Sequence, residues 1–367
     1  MRVRWVVVAL VLVACGSPKP VRIGIVLSSE GVEGARFAAA DINASGGIGG
    51  RPLALSVMSA GSGTAARPAI VAAESLSNDP SVMAVVGHSN SNASLAASQI
   101  YNARRIVQIA PTSSAPLLSR AGPFTFRLVA SDIHQARYLA ALITADGARP
   151  RTAIFFVNDD YGHALEHELR ARLDDQHVPV VYEAPYSEAG EITDAPAIAR
   201  AVARSRPELL IWLGRGPHLI QLLPGLRHAI PSLRVLASDA IDNVATRNNT
   251  NGVLIGVRYA SFLELDAARK PLSVLRTRFQ TATHRQLSVE TVLSYDAVML
   301  LATAAREVGP ERDAIRGYLA SLGNQRAPHD GASGPIAFNA DGEPQPSYVL
   351  VEVTAHGAQN VPLPKSP

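Results

Sequence analysis

The chain carries one cysteine, Cys15. No disulfide can form within it, so its fold rests on buried apolar surface rather than on cross-links. Beyond the first fifteen residues it lacks any apolar run long enough to cross a membrane. It also lacks an excess of charge. The formal net charge is +3, and no block of Lys and Arg interleaved with aromatics occurs, which argues against a nucleic-acid partner. Neither a phosphate-cradling GxxxxGK[ST] loop nor a GxSxG nucleophile elbow is present. The glycine stretch Gly46–Gly50 follows a helical pattern and opens no helix, so it reads as a stop and loop rather than a dinucleotide fingerprint. Nothing here calls for a cofactor or a metal. Ten histidines are scattered without a local Ser-His-Asp signature, and His88, beside a hydroxyl-rich turn, reads as a packing residue rather than a base.

What is present is a globular composition. Of 367 residues, 47% are hydrophobic and 18% charged, enough for two domains with sizeable cores. Residues 1–15 read as an export signal: Arg2 and Arg4 are its basic region and Trp5 to Val13 its short apolar core. Taking those two arginines from the net +3 leaves +1 for the mature chain. Leu12-Val13-Ala14-Cys15 resembles the lipobox of bacterial lipoproteins, which makes Cys15 the expected lipidation site and residues 16–20 a tether. The expected location is the periplasmic face of a bacterial membrane, with lipid as the only membrane contact.

The chain is organised around Gly87 to Pro116. An apolar strand ends at Gly87-His88, turns through Ser89-Asn90-Ser91-Asn92 into a small-residue helix, leaves by IVQIAP and ends at Thr112-Ser113-Ser114. This is a βαβ unit, whose strands lie parallel. Both hydroxyl clusters then fall at carboxyl ends of strands, where open α/β sheets bind ligands. The first also sits on a helix N-terminus, whose free N–H groups and partial positive charge suit a small anion. Strand and helix patterns alternate from Val21 onward and restart at Thr152, which predicts two doubly wound α/β units. Expected details include a helix entered through Glu30-Gly31 and a strand VLIGVRY. The expected last strands are IAFNA and SYVLVEV, with a fraying tail NVPLPKSP. His163, Glu166 and His167 fit H-x-x-E-H, a zinc-hydrolase pattern, yet no third ligand is evident nearby.

The segments VRIGIVL, AAADINASGGIGGRPL, VMAVVGHSNSNASLAASQIY, IAPTSSAP, FRLVASD, NDDYGHAL, SYDAVMLLATA and GPIAFNADGEP, in this order and spacing, resemble the type I periplasmic binding proteins of the Leu/Ile/Val group. The resemblance implies two Rossmann-like α/β lobes joined by three crossover strands and closing on a ligand. Lobe 1 would comprise 21–130 plus 262–339, and lobe 2 would comprise 131–261 plus 340–367. It places Ser91 on the ligand's carboxylate and Thr112 and Ser114 at its amino acid moiety. Tyr161 becomes the cover and Asp239 the partner of the ammonium. It implies a solute-binding lipoprotein serving an ABC permease, with no catalysis. A sensory or partner-binding lipoprotein of the same fold is the alternative reading. A zinc hydrolase through His163, Glu166 and His167 is a further one.

Two departures from that pattern stand out. The loop SSEGVEG after the first strand is several residues shorter than is common in the family, so one pocket wall is rebuilt or missing, with Ser28 and Ser29 as candidates to reach it. Arg215 stands where many members carry an aromatic, and it is expected either to pair with Asp239 or to take an acidic ligand group. Either role argues against a purely aliphatic ligand.

Overall fold

The structure is a computed structural model that describes residues 19–59, 66–145, 147–189, 192–248 and 252–362. Cys15 and the leader lie outside these residues, as do the last five of the tail. In chain order, the first sheet and its helices comprise β1 (Val21–Val26), α1 (Ser29–Ala44), β2 (Leu53–Val57), α2 (Ala66–Asn78), β3 (Val82–Gly87), α3 (Ser91–Ala103), β4 (Val107–Ala110) and β5 (Thr125–Arg127). The second set comprises α4 (Asp132–Thr144), β6 (Thr152–Val157), α5 (Asp160–Asp175), β7 (Val180–Tyr186), α6 (Ala195–Arg204), β8 (Leu209–Leu213), α7 (Gly216–Ala229), β9 (Arg234–Ala237), α8 (Val244–Asn248) and β10 (Arg258–Ser261). The chain then returns through α9 (Lys270–Thr283), α10 (Val289–Val308), α11 (Arg312–Ser321), β11 (His329–Asp330) and β12 (Pro335–Ile336) to β13 (Val349–Thr354) and β14 (Gly357–Val361).

Five strands pair in the order β2-β1-β3-β4-β5, all parallel. Seven pair in the order β14-β13-β10-β9-β8-β6-β7. Its five parallel members, read from β7, repeat the order of the first sheet, and β13 and β14 extend it antiparallel. Both sheets are thus wound in the 2-1-3-4-5 order. Each has one switch point, between β1 and β3 and between β6 and β8, where successive connections leave in opposite directions and open a crevice at the strands' carboxyl ends.

Alternation along the strands sorts the core. Ile23 and Ile25 of β1 face α1, α9, α10 and α11, while Val26 joins Val82 and Val85 against the small residues of α2 and α3. A separate core fills the second sheet around Trp212, Phe155, Leu165 and Leu222. Three connections pass between the sheets. At the first and third, Arg127 ends β5 and pairs with Glu343, while its backbone N–H donates to the Gly342 carbonyl. Both side chains of that pair are almost fully buried.

α1 and α10 pack closely because α1 presents Gly34 there: a Cβ on Gly34 would lie 2.1 Å from the Thr291 carbonyl oxygen. The obstacle is backbone, so it cannot swing aside. Gly34→Ala is expected to cost roughly 1–3 kcal/mol in urea unfolding by overpacking; an unchanged midpoint would show that the helices can separate freely.

Several boundaries differ from expectation. α1 starts at Ser29 with Ser28 as its cap, so Glu30 and Gly31 lie inside the helix rather than in a turn before it. Residues 252–256 are turns, and β10 begins only at Arg258, so VLIGVRY is not one strand; Gly252 and Gly256 have φ of +70° and +80°. IAFNA contributes only Ile336 to a two-residue strand, β12. The tail holds a strand that its polar composition hid: Asn360 and Val361 belong to β14, paired with β13.

Candidate functional site

Four helices that begin at carboxyl ends of strands, or beside them, converge on one cavity of about 280 Å³. Each starts on a residue suited to a cap. Ser28 accepts from Gly31 N–H at 3.4 Å, Asn90 from Ala93 N–H at 3.0 Å, Asp159 from Gly162 N–H at 2.8 Å and Ser288 from Thr291 N–H at 3.1 Å. The first sheet contributes Ser28 and Glu30 after β1, Ser89, Asn90 and Ser91 after β3, and Thr112 after β4. The second contributes Tyr161 after β6, Arg215 after β8, Asp239, Ala240, Asp242 and Asn243 after β9 and Phe262 after β10. Val289 and Glu290, from the first turn of α10, complete the lining. The two switch points therefore face each other across the cavity.

The polar groups are heavily interconnected. Ser91 Oγ accepts from Ala115 N–H at 3.2 Å, which ties the two hydroxyl clusters together, and Thr112 Oγ1 donates to the Ser89 carbonyl at 2.9 Å. Tyr161 Oη donates to Asp239 Oδ1 at 2.8 Å, and Gln135 Nε2 donates to the same oxygen at 2.6 Å. Burial pushes the Asp239 carboxyl up to about 6 despite those two donors. Asp132, fully buried, is also raised by burial and by Asp239 beside it. Across the mouth, Asn92 Oδ1 accepts from Asp160 N–H at 2.9 Å, joining the first turn of α3 to that of α5.

The profile of the periplasmic binding protein family matches residues 25–358 of the chain. The chain belongs to the periplasmic binding protein family. It is 30% identical over 217 residues to an amino acid binding protein of Pseudomonas aeruginosa, covering 58% of the chain and 57% of that protein. It is 28% identical over 216 residues to the Leu/Ile/Val-binding protein of Escherichia coli K12, covering 59% and 58%. The chain thus spans less than two thirds of the length of these curated relatives. Among solved structures, a leucine binding protein from Thermotoga maritima superposes with a TM-score of 0.84 at 20% identity, covering 94% of the chain and 99% of that structure. A solute binding protein from R. palustris in complex with benzoate superposes with a TM-score of 0.82 at 16% identity, covering 95% and 97%. At these identities the superpositions establish the fold.

In this periplasmic binding protein, Ser91, Thr112, Tyr161, Arg215 and Asp239 all line one cavity. Ser114 does not; it is 1% exposed and sealed behind the wall. Arg215 lines the cavity but does not pair with Asp239. Its Nη1 lies 2.7 Å from Glu188 and 3.3 Å from Asp159, both on its own side of the cavity. Its charge is therefore largely met within the protein. The wall beside the short loop is rebuilt by Glu290, which sequence reasoning missed. Ser28 Oγ donates to Glu290 Oε2 at 2.7 Å and Ser89 Oγ to Oε1 at 2.5 Å. Only its place in the first turn after a Ser cap marked it, and an acidic residue there is ordinary helix chemistry. His163 and His167 are exposed, His163 sharing a hydrogen bond with Asn158 at 2.8 Å. Among the described residues no group of three or more His, Cys, Asp or Glu is placed to hold a metal ion.

The Asn92–Asp160 bond spans the mouth, so removing it should weaken closure. Asn92→Ala is expected to raise the Kd for the bound solute roughly 2- to 12-fold, the worth of one hydrogen bond. Calorimetric titration beside an unfolding curve checks this; an unchanged Kd would mean the bond contributes nothing to closure.

Proposed function

We propose that the chain is an exported solute-binding lipoprotein, anchored through Cys15, that captures an amino acid or a related small polar carboxylate between two lobes and presents it to an ABC permease. The lobes are residues 21–130 plus 262–339 and 131–261 plus 340–367. Ser91 and the first turn of α3 hold the ligand's carboxylate, Thr112 orients it, Tyr161 covers it and Asp239 receives its ammonium. The protein does no chemistry on the solute. The single observation that carries this reading is that both switch points open onto one cavity. Its volume of about 280 Å³ is at the small end for ligand pockets. The names of the curated relatives, which include amino acid and Leu/Ile/Val binding proteins, support the solute class.

Closure must be driven by contacts that exist only when the lobes are together, because a ligand indifferent to closure shifts nothing. The test is a thermal-shift screen of residues 16–367 against amino acids, small carboxylates and amides, since a bound solute stabilises the folded state by mass action. At least one amino acid is expected to raise Tm, with the shift reduced in Ser91→Ala. A screen in which none of these solutes shifts Tm would refute the reading, and stoichiometric zinc lost in His163→Ala would replace it with a metalloenzyme.

A further inference from the structure

We infer that the cavity takes a solute with two separate cationic groups, an α-ammonium held by Asp239 on one wall and a distal amine held by Glu290 on the other. This rests on the proposed solute-binding function and narrows its substrate class.

The argument is an account of protons. At the Glu290 wall both hydroxyl protons are already committed. Ser28 Oγ and Ser89 Oγ each donate to the Glu290 carboxylate, and Ser89 Oγ in turn accepts from Ser28 N–H at 2.8 Å. Thr112 has spent its proton on the Ser89 carbonyl and Tyr161 has spent its own on Asp239. What these six groups offer to a guest is lone pairs and two carboxylates. Donors remain around Ser91, whose hydroxyl accepts from Ala115 N–H, at the free N–H groups that open α3, and on the side-chain amides of Asn90 and Asn243, whose oxygens already accept from Ala93 N–H and Thr246 N–H. An anionic group has a place beside α3, and the walls carrying Asp239 and Glu290 ask for hydrogen-bond donors.

Charge points the same way. Arg215, the one basic side chain among the described residues of the lining, is neutralised by Glu188 and Asp159. Asp242 has its own partner in Arg247, at 2.6 Å. Among the described residues, Asp239 and Glu290 have hydroxyl or amide donors but no cation. Glu290 opens α10, which packs on the first sheet, and Asp239 follows β9 of the second, so each side of the cavity presents its own carboxylate. An aliphatic side chain against Glu290 would strip water from a carboxylate and give nothing back. Taking ~30 Å³ per water-sized unit, the cavity of about 280 Å³ accommodates a solute of roughly ten non-hydrogen atoms, the size of a short diamino acid.

The experiment is calorimetric titration of residues 16–367 with L-ornithine against L-norvaline, and with L-lysine against L-norleucine. Each pair shares its carbon chain and α-amino acid head and differs only in the terminal amine. The diamino acid of at least one pair is expected to bind at least about tenfold tighter than its apolar counterpart. In Glu290→Gln that preference is expected to fall to about onefold, because the diamino acid loses its partner and the apolar chain no longer desolvates a carboxylate. A cooperative thermal unfolding curve reports that the variant is folded. Equal or tighter binding of the apolar members, or a preference that survives Glu290→Gln, would overturn the inference while leaving the amino-acid reading intact. Binding of none of the four would overturn the inference and leave the broader solute-binding reading to the thermal-shift screen.

Discussion

Arg127→Met is expected to lower stability by roughly 3–5 kcal/mol, among the largest effects of any single substitution in the molecule. Arg127 ends β5, where the chain first leaves the first sheet, and Glu343 sits on the last return to the second. The Arg127 side chain is only 2% exposed and that of Glu343 9%. The guanidinium reaches Glu343 and Ser119, and its Nη1 donates to the Ala115 carbonyl at 2.9 Å. A methionine would fill much of the same space but leave the Glu343 carboxylate buried without a counter-charge. The desolvation cost of that orphan, rather than the loss of attraction, sets the size of the effect. It follows that Arg127→Met with Glu343→Leu should recover most of the loss, since two apolar groups leave nothing unpaired. Urea unfolding of the two variants separates the possibilities. A single variant within 1 kcal/mol of wild type, or a double variant no better than the single, would contradict this account.

Asp239→Asn is expected to raise the Kd for an ammonium-bearing ligand by about 30- to 5,000-fold, the usual range for removing one partner of a desolvated charge pair. The neutral amide still fits between Tyr161 and Gln135, so the lobe should fold normally. The same carboxylate makes binding depend on pH. With its pKa near 6, Asp239 is mostly protonated at pH 5 and mostly ionised at pH 7. Affinity for a cation should therefore rise about tenfold over that interval, by the change in the competent fraction. Stability of the empty protein should move oppositely. Asp239 and Asp296 are both pushed from an ordinary 3.8 up to about 6 by burial. Between those values the folded state holds more protons than the unfolded one, so their contribution to stability falls as pH rises from about 4 through about 6. Glu290, raised by burial in the same way, adds to both trends. Pairing Asp239 with an ammonium removes this penalty, so ligand should stabilise more at pH 7 than at pH 5.

The parts of the site that were legible in the sequence are the local ones. Ser89 to Ser91 and Thr112 could be placed at strand ends because a strand, a polar turn and a helix follow one another directly in the chain. Tyr161 and Asp239 lie after β6 and β9, where the family pattern put them. The relations that failed to show are long-range. Glu290 meets Ser89 across 201 residues and Ser28 across 262, through a helix whose pattern reads only as core. Arg215 finds Asp159 and Glu188, on the loops after β6 and β7, which periodicity cannot place beside the end of β8. Ser114 shares composition with Thr112, but two residues along the loop the chain has turned into the wall. β14 was hidden because an edge strand with one wet face needs little apolar sequence.

The central claim is that a small solute is gripped between the two sheets at their facing switch points. Amide hydrogen exchange, measured with and without the tightest amino acid from the thermal screen, tests it most directly. The account predicts slowed exchange in 87–92 of the first sheet together with 158–162 and 238–243 of the second. Protection confined to one sheet, or appearing only elsewhere on the molecule, would contradict it.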